Sequence, residues 1–229
     1  MSRSVSIIGG TGPLGMGLAL RWAAAEMQIL IGSRDADRAA LAAETIRERL
    51  PGANVRGGAN VEVAGSSEIV VLTLPLGAQV ATAVSIRDRL QTGAILVDTT
   101  VPLDKAVGGR LSQLLPLWDG SAAERVARRL GDRVRVVSAF HALSASALAA
   151  LDTPLHSDTL ICGDDSQARC VVAELAARIP GVRAIDNGAL ENSRYAEAVA
   201  ALLISLNLRH KIKDSGVRFQ GLPVVAAGE

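Results

Sequence analysis

Ser4-Val5-Ser6-Ile7-Ile8-Gly9-Gly10-Thr11-Gly12-Pro13-Leu14-Gly15 decides the fold. A short apolar run suited to a buried strand ends in a cluster of glycines, and the alanine-rich stretch Met16 to Ala25 that follows reads as a helix. The same rhythm recurs downstream. Gln28 to Gly32 predicts a strand, Ala36 to Leu50 a helix, Asn54 to Gly57 a short strand, and Ile69 to Leu74 a fully apolar strand that Pro75 stops. Helices over Ala78 to Leu90 and Ala122 to Leu130 then alternate with strands over Ala94 to Asp98 and Val134 to Ala139. Parallel neighbours need crossover connections of about a dozen residues, so this alternation implies a mostly parallel sheet with helices on both faces.

The expected class is α/β, a doubly wound Rossmann-type parallel sheet with a smaller C-terminal α/β region. Beyond residue 140 the rhythm loosens to a strand at Thr159 to Cys162, a helix at Ser166 to Arg178, a strand at Val182 to Ile185 and a long helix from Ser193 to Leu208. Ala196, Val199, Ala200, Leu203 and Leu206 or Asn207 fall on one apolar face of that last helix, suited to core or subunit packing. The expected division is a nucleotide-binding domain over 1–140 and a smaller domain over 141–229. Pro102, Gly108, Gly109 and Pro116 mark Thr100 to Leu117 as a loop over the carboxyl edge of the sheet.

A chain of 229 residues buries roughly 70% of its unfolded surface on folding, enough for a large core. Lys and Arg total 24 against 23 Asp and Glu, a formal net charge of +1, so no global field is available to hold nucleic acid or an anionic membrane. No apolar run approaches the roughly 18 to 20 residues that cross a bilayer, and the first residues enter a strand without a signal-peptide pattern, so a cytoplasmic location is expected. Cys162 and Cys170 have no Cys or His neighbours at metal-ligand spacing and read as reduced structural thiols, with no metal site. The aromatic residues, Trp22, Trp118, Phe140, Tyr195 and Phe219, make up only 2% of the chain, so a ring-binding pocket must be built from aliphatic side chains and backbone.

Gly10, Gly12 and Gly15 form G-x-G-x-x-G between a strand and a helix. The first glycine permits the tight turn, the second lets a pyrophosphate approach the backbone, and the third lets helix and strand pack closely, while free N–H groups at the helix start face the phosphates. Pro13 falls where a missing N–H costs little. A tight glycine turn in some other α/β protein is the plain alternative. After the second strand, a site preferring NAD would place Asp or Glu on the ribose hydroxyls. This chain has Gly32-Ser33-Arg34 instead, with Arg38 one helical turn on. Two guanidinium groups and a hydroxyl can surround a 2'-phosphate through charge-assisted bonds of about 1.5 to 3 kcal/mol each, which selects NADP(H). Asp35 reads as a helix cap. Arg34 and Arg38 as ordinary surface charges is the competing reading.

These blocks, together with Val71-Leu72-Thr73-Leu74-Pro75, Val101-Pro102, Ser138-Ala139-Phe140-His141, Cys162-Gly163-Asp164-Asp165 and Asn192-Ser193-Arg194, resemble in order and spacing the NADPH-dependent F420 reductase family. The likeness spans essentially the whole chain. It implies reversible hydride transfer between NADPH and the 8-hydroxy-5-deazaflavin coenzyme F420, with the two rings stacked in a cleft that the C-terminal region closes. It implies further that Thr11 to Leu14 cradle the phosphates, that Ser33, Arg34 and Arg38 take the 2'-phosphate, and that Leu74, Pro75, Leu76 and Val101 lie along the nicotinamide. Ala145, Ser215 and Gly216 match family positions near the two rings. Leu76-Gly77 and Thr99-Thr100 depart from the family pattern.

Hydride transfer needs the donor and acceptor carbons about 3 to 3.5 Å apart and no obligatory acid or base, because both rings carry their own electron-accepting chemistry. The sequence agrees, offering no convincing paired carboxylates and no Ser-His-Asp arrangement. His141, ending the sixth strand, is a candidate donor to a ring carbonyl, or else a histidine that holds loop backbone. Asn192, Ser193 and Arg194 are candidates for the deazaflavin or its phosphate tail, or else for capping the last helix. Two other functions stay open: an NADPH-dependent reductase of an imine, keto acid or flavin, and a non-catalytic NADP(H)-sensing module. A homodimer is expected, and the apolar face of the last helix either closes it or simply covers the sheet.

Overall fold

In the computed structural model, which describes residues 4–103, 106 and 108–225, the glycine cluster joins β1 (Ser4–Ile8) to α1 (Pro13–Ala24). There follow β2 (Gln28–Ser33), α2 (Ala36–Arg49), β3 (Val55–Ala59), the single turn α3 (Asn60–Val63), β4 (Ile69–Leu72), α4 (Leu76–Ile86), β5 (Ile95–Asp98), α5 (Ala122–Leu130) and β6 (Arg135–Ser138). The C-terminal part adds α6 (Ala145–Ala149), β7 (Ser157–Gly163), α7 (Ser166–Ala177), β8 (Val182–Asp186) and α8 (Ser193–His210). All strands join one 8-stranded sheet in the order β3-β2-β1-β4-β5-β6-β7-β8. Every pairing is parallel except β6 with β7. The doubly wound α/β class expected from the sequence is the observed one.

Period-two alternation explains why the central strands are apolar throughout. Ile7, Ile31, Val71 and Val97 point into one core, with Leu18 and Trp22 of α1 and Val172 and Leu175 of α7. Their neighbours Ile8, Leu30, Val70, Leu72 and Leu96 point into the other, with Ile86 of α4 and Val126 of α5. Both faces are covered, so no strand position can be polar without a partner.

Several boundaries differ from the sequence expectation for identifiable reasons. α1 begins at Pro13 rather than Met16, since proline is preorganised for the first helical position. β4 stops at Leu72 although the apolar run continues to Leu74, because the Thr73 amide and hydroxyl both donate to the Ile8 carbonyl (3.0 and 3.1 Å) and turn the chain. β3 sits at Val55–Ala59 and β7 starts at Ser157, while α3 and α6 carried too short a pattern to be read. The described part of the Thr100 to Leu117 loop is irregular apart from a bridge between Leu103 and Leu114; residues 104, 105 and 107 lie outside the described residues.

Strand order reverses between β1 and β4. Crossovers on either side leave opposite faces there, opening a crevice at the carboxyl ends of the strands, where ligands bind in such sheets. The glycine turn and the Thr73-Leu74-Pro75 segment flank it.

Candidate active site

The turn after β1 is built by backbone crowding. Gly9 has φ +72°, a conformation that L side chains disfavour, and a Cβ there would lie 2.4 Å from Leu74 Cδ2. At Gly15 a Cβ would come within 2.7 Å of the Gly10 Cα and of Thr73 Oγ1, so helix and strand touch through their main chains. Gly12 is different: a Cβ would meet only the Gly9 carbonyl, at 3.5 Å, which leaves open space above the helix start. Gly12 is the α1 N-cap, with no side-chain capping bond, and the first turn holds no acidic residue. The Leu14 and Gly15 N–H groups precede the first intrahelical bond, from Met16 to the Gly12 carbonyl at 2.9 Å, and the dipole favours an anion there. This end of the fold suits a diphosphate.

Beside it, a cavity of about 450 Å³ is lined by Ser33 and Arg34, by Asn60 and by Gly77, Ala78 and Thr82 of α4. Ser33 is buried, and its Oγ accepts from the Asp35 amide at 3.2 Å, leaving the hydroxyl proton for a ligand. Asp35 Oδ1 accepts from the amides of Asp37 and Arg38 at 3.0 and 3.2 Å, so it caps α2 as its position suggested. Arg34 lines this cavity and is exposed, Arg38 is exposed one helical turn on, and neither forms an ion pair among the described residues. A cavity with one such cation and a hydroxyl in its lining, and a second cation one helical turn away, suits a phosphorylated ribose.

Across the crevice, Leu74 and Val101 are half-buried, Pro75 is exposed and Leu76 is buried as the first residue of α4. Ala145 opens α6, whose Leu148 packs on α1: a Cβ at Gly17 would lie 2.6 Å from Leu148 Cβ. Ser215 and Gly216 lie with Ser144, Ser146, His156 and Asp214 around a cavity of about 370 Å³. Asp214 Oδ1 accepts from both the Ser144 and Ser146 hydroxyls, tying the segment after α8 to the start of α6. The two regions read as neighbours of the rings are thus brought to one place.

Of the other candidates, Ser193 and the His141 Nε2 are turned away from open space, Asn192 is half-buried and Arg194 is exposed. His141 Nε2 is enclosed and has no hydrogen-bond partner, and burial pushes the ring pKa down to about 4, so it is neutral near pH 7. The ring borders a cavity of about 10 Å³, no larger than one water, shared with Asp158 and Leu160 of β7 and Ala196 and Val199 of α8. Ser193 is fully buried; its hydroxyl lies 2.7 Å from Ser138 Oγ and donates to the Leu190 carbonyl at 2.6 Å. That geometry removes Ser193 from any ligand surface, because the hydroxyl is spent inside the fold. Asn192 Nδ2 donates to the Asn187 carbonyl at 2.7 Å and gives α8 no side-chain cap, and Arg194 faces Glu124 at 3.4 Å.

The structure also brings together two carboxyl groups that sequence reasoning did not pair. Asp98, the last residue of β5, is fully buried; Oδ1 accepts from Thr100 Oγ1 and Oδ2 from Gln79 Nε2, each at 2.9 Å. Glu197 of α8 is buried beside it, accepting from the Ala122 and Ala123 amides at 2.9 and 3.4 Å at the start of α5. Burial raises Asp98 to about 6, and burial followed by repulsion from Asp98 raises Glu197 to about 9. The available signal was a lone carboxylate ending an apolar strand, Ile95-Leu96-Val97-Asp98, and another inside the apolar face of the last helix. Among the described residues no group of His, Cys, Asp and Glu is placed to hold a metal, and no helix is long and apolar enough to cross a membrane.

Sheet order, glycine turn and the cavity beside Ser33 and Arg34 define a dinucleotide-binding oxidoreductase of the Rossmann class. Residues 4–102 match the family described as NADP oxidoreductase, coenzyme F420-dependent. The F420-dependent NADP reductase of Methanothermobacter thermautotrophicus is 45% identical over 227 residues, covering 97% of each chain. The chain belongs to the F420-dependent NADP reductase family. A solved structure from Arthrobacter sp. FB24, provisionally named as such a reductase, shares the fold with TM-score 0.80 at 24% identity, covering 96% of this chain and 99% of the other. A reductive aminase from Aspergillus terreus in complex with NADPH shares it more loosely, with TM-score 0.61 and 15% identity over 92% of this chain and 64% of the other.

Proposed function

We propose that this chain transfers a hydride reversibly between NADPH and F420, with the pyrophosphate over Gly12 to Leu14, the 2'-phosphate on Ser33, Arg34 and Arg38, and the nicotinamide between Leu74 and Val101. The observation that carries the reading is the uncapped, acid-free start of α1 opening beside a cavity lined by Ser33 and Arg34, with Arg38 exposed one helical turn on and neither arginine ion-paired among the described residues. The two bound rings supply the hydride chemistry. The chain's own residues hold the phosphates, flatten the nicotinamide between aliphatic walls and exclude water. Ala145 lies on the nicotinamide side, Ser215 and Gly216 on the deazaflavin side, and the region beyond residue 140 closes the cleft over them.

Deazaflavin is favoured over an imine or keto acid because such substrates need a proton donor at the reacting atom. Asp98 and Glu197 are buried, and His141 is neutral near pH 7 with its Nε2 enclosed, so none presents an acid to the crevice. Adding NADPH to purified protein should bleach the visible absorbance of oxidised F420. Tight NADPH binding with no bleaching at any pH between about 5 and 9 would instead identify a sensor or a different acceptor.

The reading includes a homodimer formed through α8, on which Tyr195, Leu202 and Leu206 are 61%, 56% and 37% exposed at helical spacing. Sedimentation at twice the chain mass supports it, and a monomer at micromolar concentration removes it. A reducing, cytoplasmic setting fits the unpaired Cys162 and Cys170.

A further inference from the structure

β4 and β5 pair in parallel only as far as Leu72 and Asp98. Past that point the two segments that flank the crevice diverge from the ladder, and threonine side chains hold them together. Thr99 Oγ1 donates to the Leu72 carbonyl at 2.9 Å. One residue on, Thr100 Oγ1 lies 2.9 Å from Asp98 Oδ1 and 3.3 Å from the Leu74 carbonyl. A hydroxyl has one proton, so it serves one of these acceptors at a time.

We propose that Asp98 is a positioning residue of the hydride site: its uptake of a proton moves the Thr100 hydrogen bond from the carboxylate to the Leu74 carbonyl and so ties the Leu74 wall to the Val101 wall. The proposal rests on the reading above that Leu74 and Val101 flank the nicotinamide. With Asp98 ionised, the charge-assisted bond is roughly twice as strong as a neutral one and captures the Thr100 proton, leaving the Leu74 carbonyl without it. With Asp98 protonated on Oδ1, the carboxyl donates to Thr100 Oγ1 and Thr100 donates to Leu74, so all three groups are satisfied.

The surroundings suit such an exchange. Among the described residues Asp98 receives only neutral donors: Thr100 on its own segment and Gln79 from α4, whose Oε1 is buried without a partner. From β6 it is paired with Ser138. From α8 it faces Glu197, which holds its own proton near neutrality; Glu124 of α5 and Cys162 of β7 are the further groups that interact with Glu197. Among the described residues no cation pins the carboxylate in its ionised form, and burial brings its titration to about 6.

The decisive experiment is single-turnover bleaching of F420 by NADPH and its C4-deuterated form between pH 5 and 8. The wild-type isotope-sensitive rate should rise roughly ten-fold as pH falls through about 6, since small misplacements of reacting carbons carry large rate costs. Asp98→Asn can donate to Thr100 through Nδ2 while accepting from Gln79, which copies the protonated arrangement; its rate should stay at the low-pH limit throughout. Thr100→Val should stay at the slow limit throughout, Thr100→Ser should restore the wild-type profile, and NADPH affinity should hold within about two-fold in all, because the phosphate contacts are untouched. Opposite, pH-flattened effects of the two substitutions are not what a plain staple gives, which would slow both. Val101→Phe is the control for the underlying reading. If it blocks hydride transfer while Asp98→Asn and Thr100→Val keep the wild-type rate and pH profile, the proposal is overturned. If Val101→Phe has no effect, the wall reading falls and the proposal with it. Should Asp98→Asn fail to fold, the Thr100→Val and Thr100→Ser pair alone decides.

Discussion

Arg21 of α1 donates from Nε to the carbonyl of Leu148 in α6 at 2.8 Å. Its remaining nitrogens reach the carbonyls of Ala147, Leu151 and Thr153 at 2.9, 3.3 and 2.9 Å, and the residue is only 2% exposed. One guanidinium therefore satisfies the carboxyl end of α6 and the turn beyond it, and locks that element to the helix that begins at the glycine turn. Arg21→Met keeps the aliphatic stem and strands the carbonyls. The expected loss is about 3 to 5 kcal/mol, or roughly 10 °C in Tm for a chain of this size. Thermal unfolding followed by circular dichroism checks it, and a shift below about 2 °C would show that water replaces the guanidinium.

Arg34→Ala removes a cation from the rim of the cavity beside Ser33. Charge-assisted bonds to a phosphate are worth about 1.5 to 3 kcal/mol, so KM for NADPH should rise by roughly ten- to a hundred-fold. KM for NADH should change by less than about two-fold, because that ligand has no 2'-phosphate. Arg38→Ala should act in the same sense. Equal effects on both nucleotides would withdraw the phosphate role from these residues.

How far the sequence foretold this molecule depended on whether a residue's surroundings are local. The turn from Gly9 to Gly15 was legible because tight turn, backbone approach and helix start all lie within one short stretch. The same holds for Asp35, whose partners Asp37 and Arg38 are its immediate neighbours. His141 was read only from its place at a strand end, and the side chain's direction followed instead from β7 and α8 packing over it. Ser193 appeared free at a helix start, but β6 brings Ser138 against it from 55 residues away. Asp98 and Glu197 are 99 positions apart in the numbering and meet only because α8 crosses the start of α5. The antiparallel β7 was equally hidden, since an apolar strand looks the same in either direction.

Gly15 and Gly12 should respond oppositely to alanine. At Gly15 the added methyl group would collide with the Gly10 backbone and Thr73 at 2.7 Å, forcing β1 and α1 apart. Overpacking of this kind costs about 1 to 3 kcal/mol, visible as a lower urea midpoint. At Gly12 the methyl group meets little protein, only the Gly9 carbonyl at 3.5 Å, so stability should hold. It fills the space over the α1 start, and NADPH affinity should fall by roughly ten-fold or more. Titration calorimetry and urea unfolding of the pair separate the two effects. Normal nucleotide binding by Gly12→Ala would mean that the diphosphate lies elsewhere.

Glu197 should impose a pH dependence on stability that a single substitution removes. Its carboxyl titrates near 4.5 when unfolded and is pushed up to about 9 in the fold, by burial first and then by Asp98. Between those values the folded state retains a proton that the unfolded state releases. The stabilisation is complete below about 4.5 and is lost as pH rises through about 9, with a slope approaching about 1.4 kcal/mol per pH unit from this group alone. His141 works in the other direction: its ring titrates near 6.5 unfolded and about 4 folded, so it costs stability only as pH falls below 6.5. Comparing urea unfolding at pH 7 and pH 8.5 isolates Glu197, since His141 is neutral in both states there. Glu197→Gln keeps an oxygen for the Ala122 and Ala123 amides and has no proton to lose. The wild type should weaken between those two pH values and Glu197→Gln should not; parallel slopes in the two proteins would assign the alkaline loss to another group.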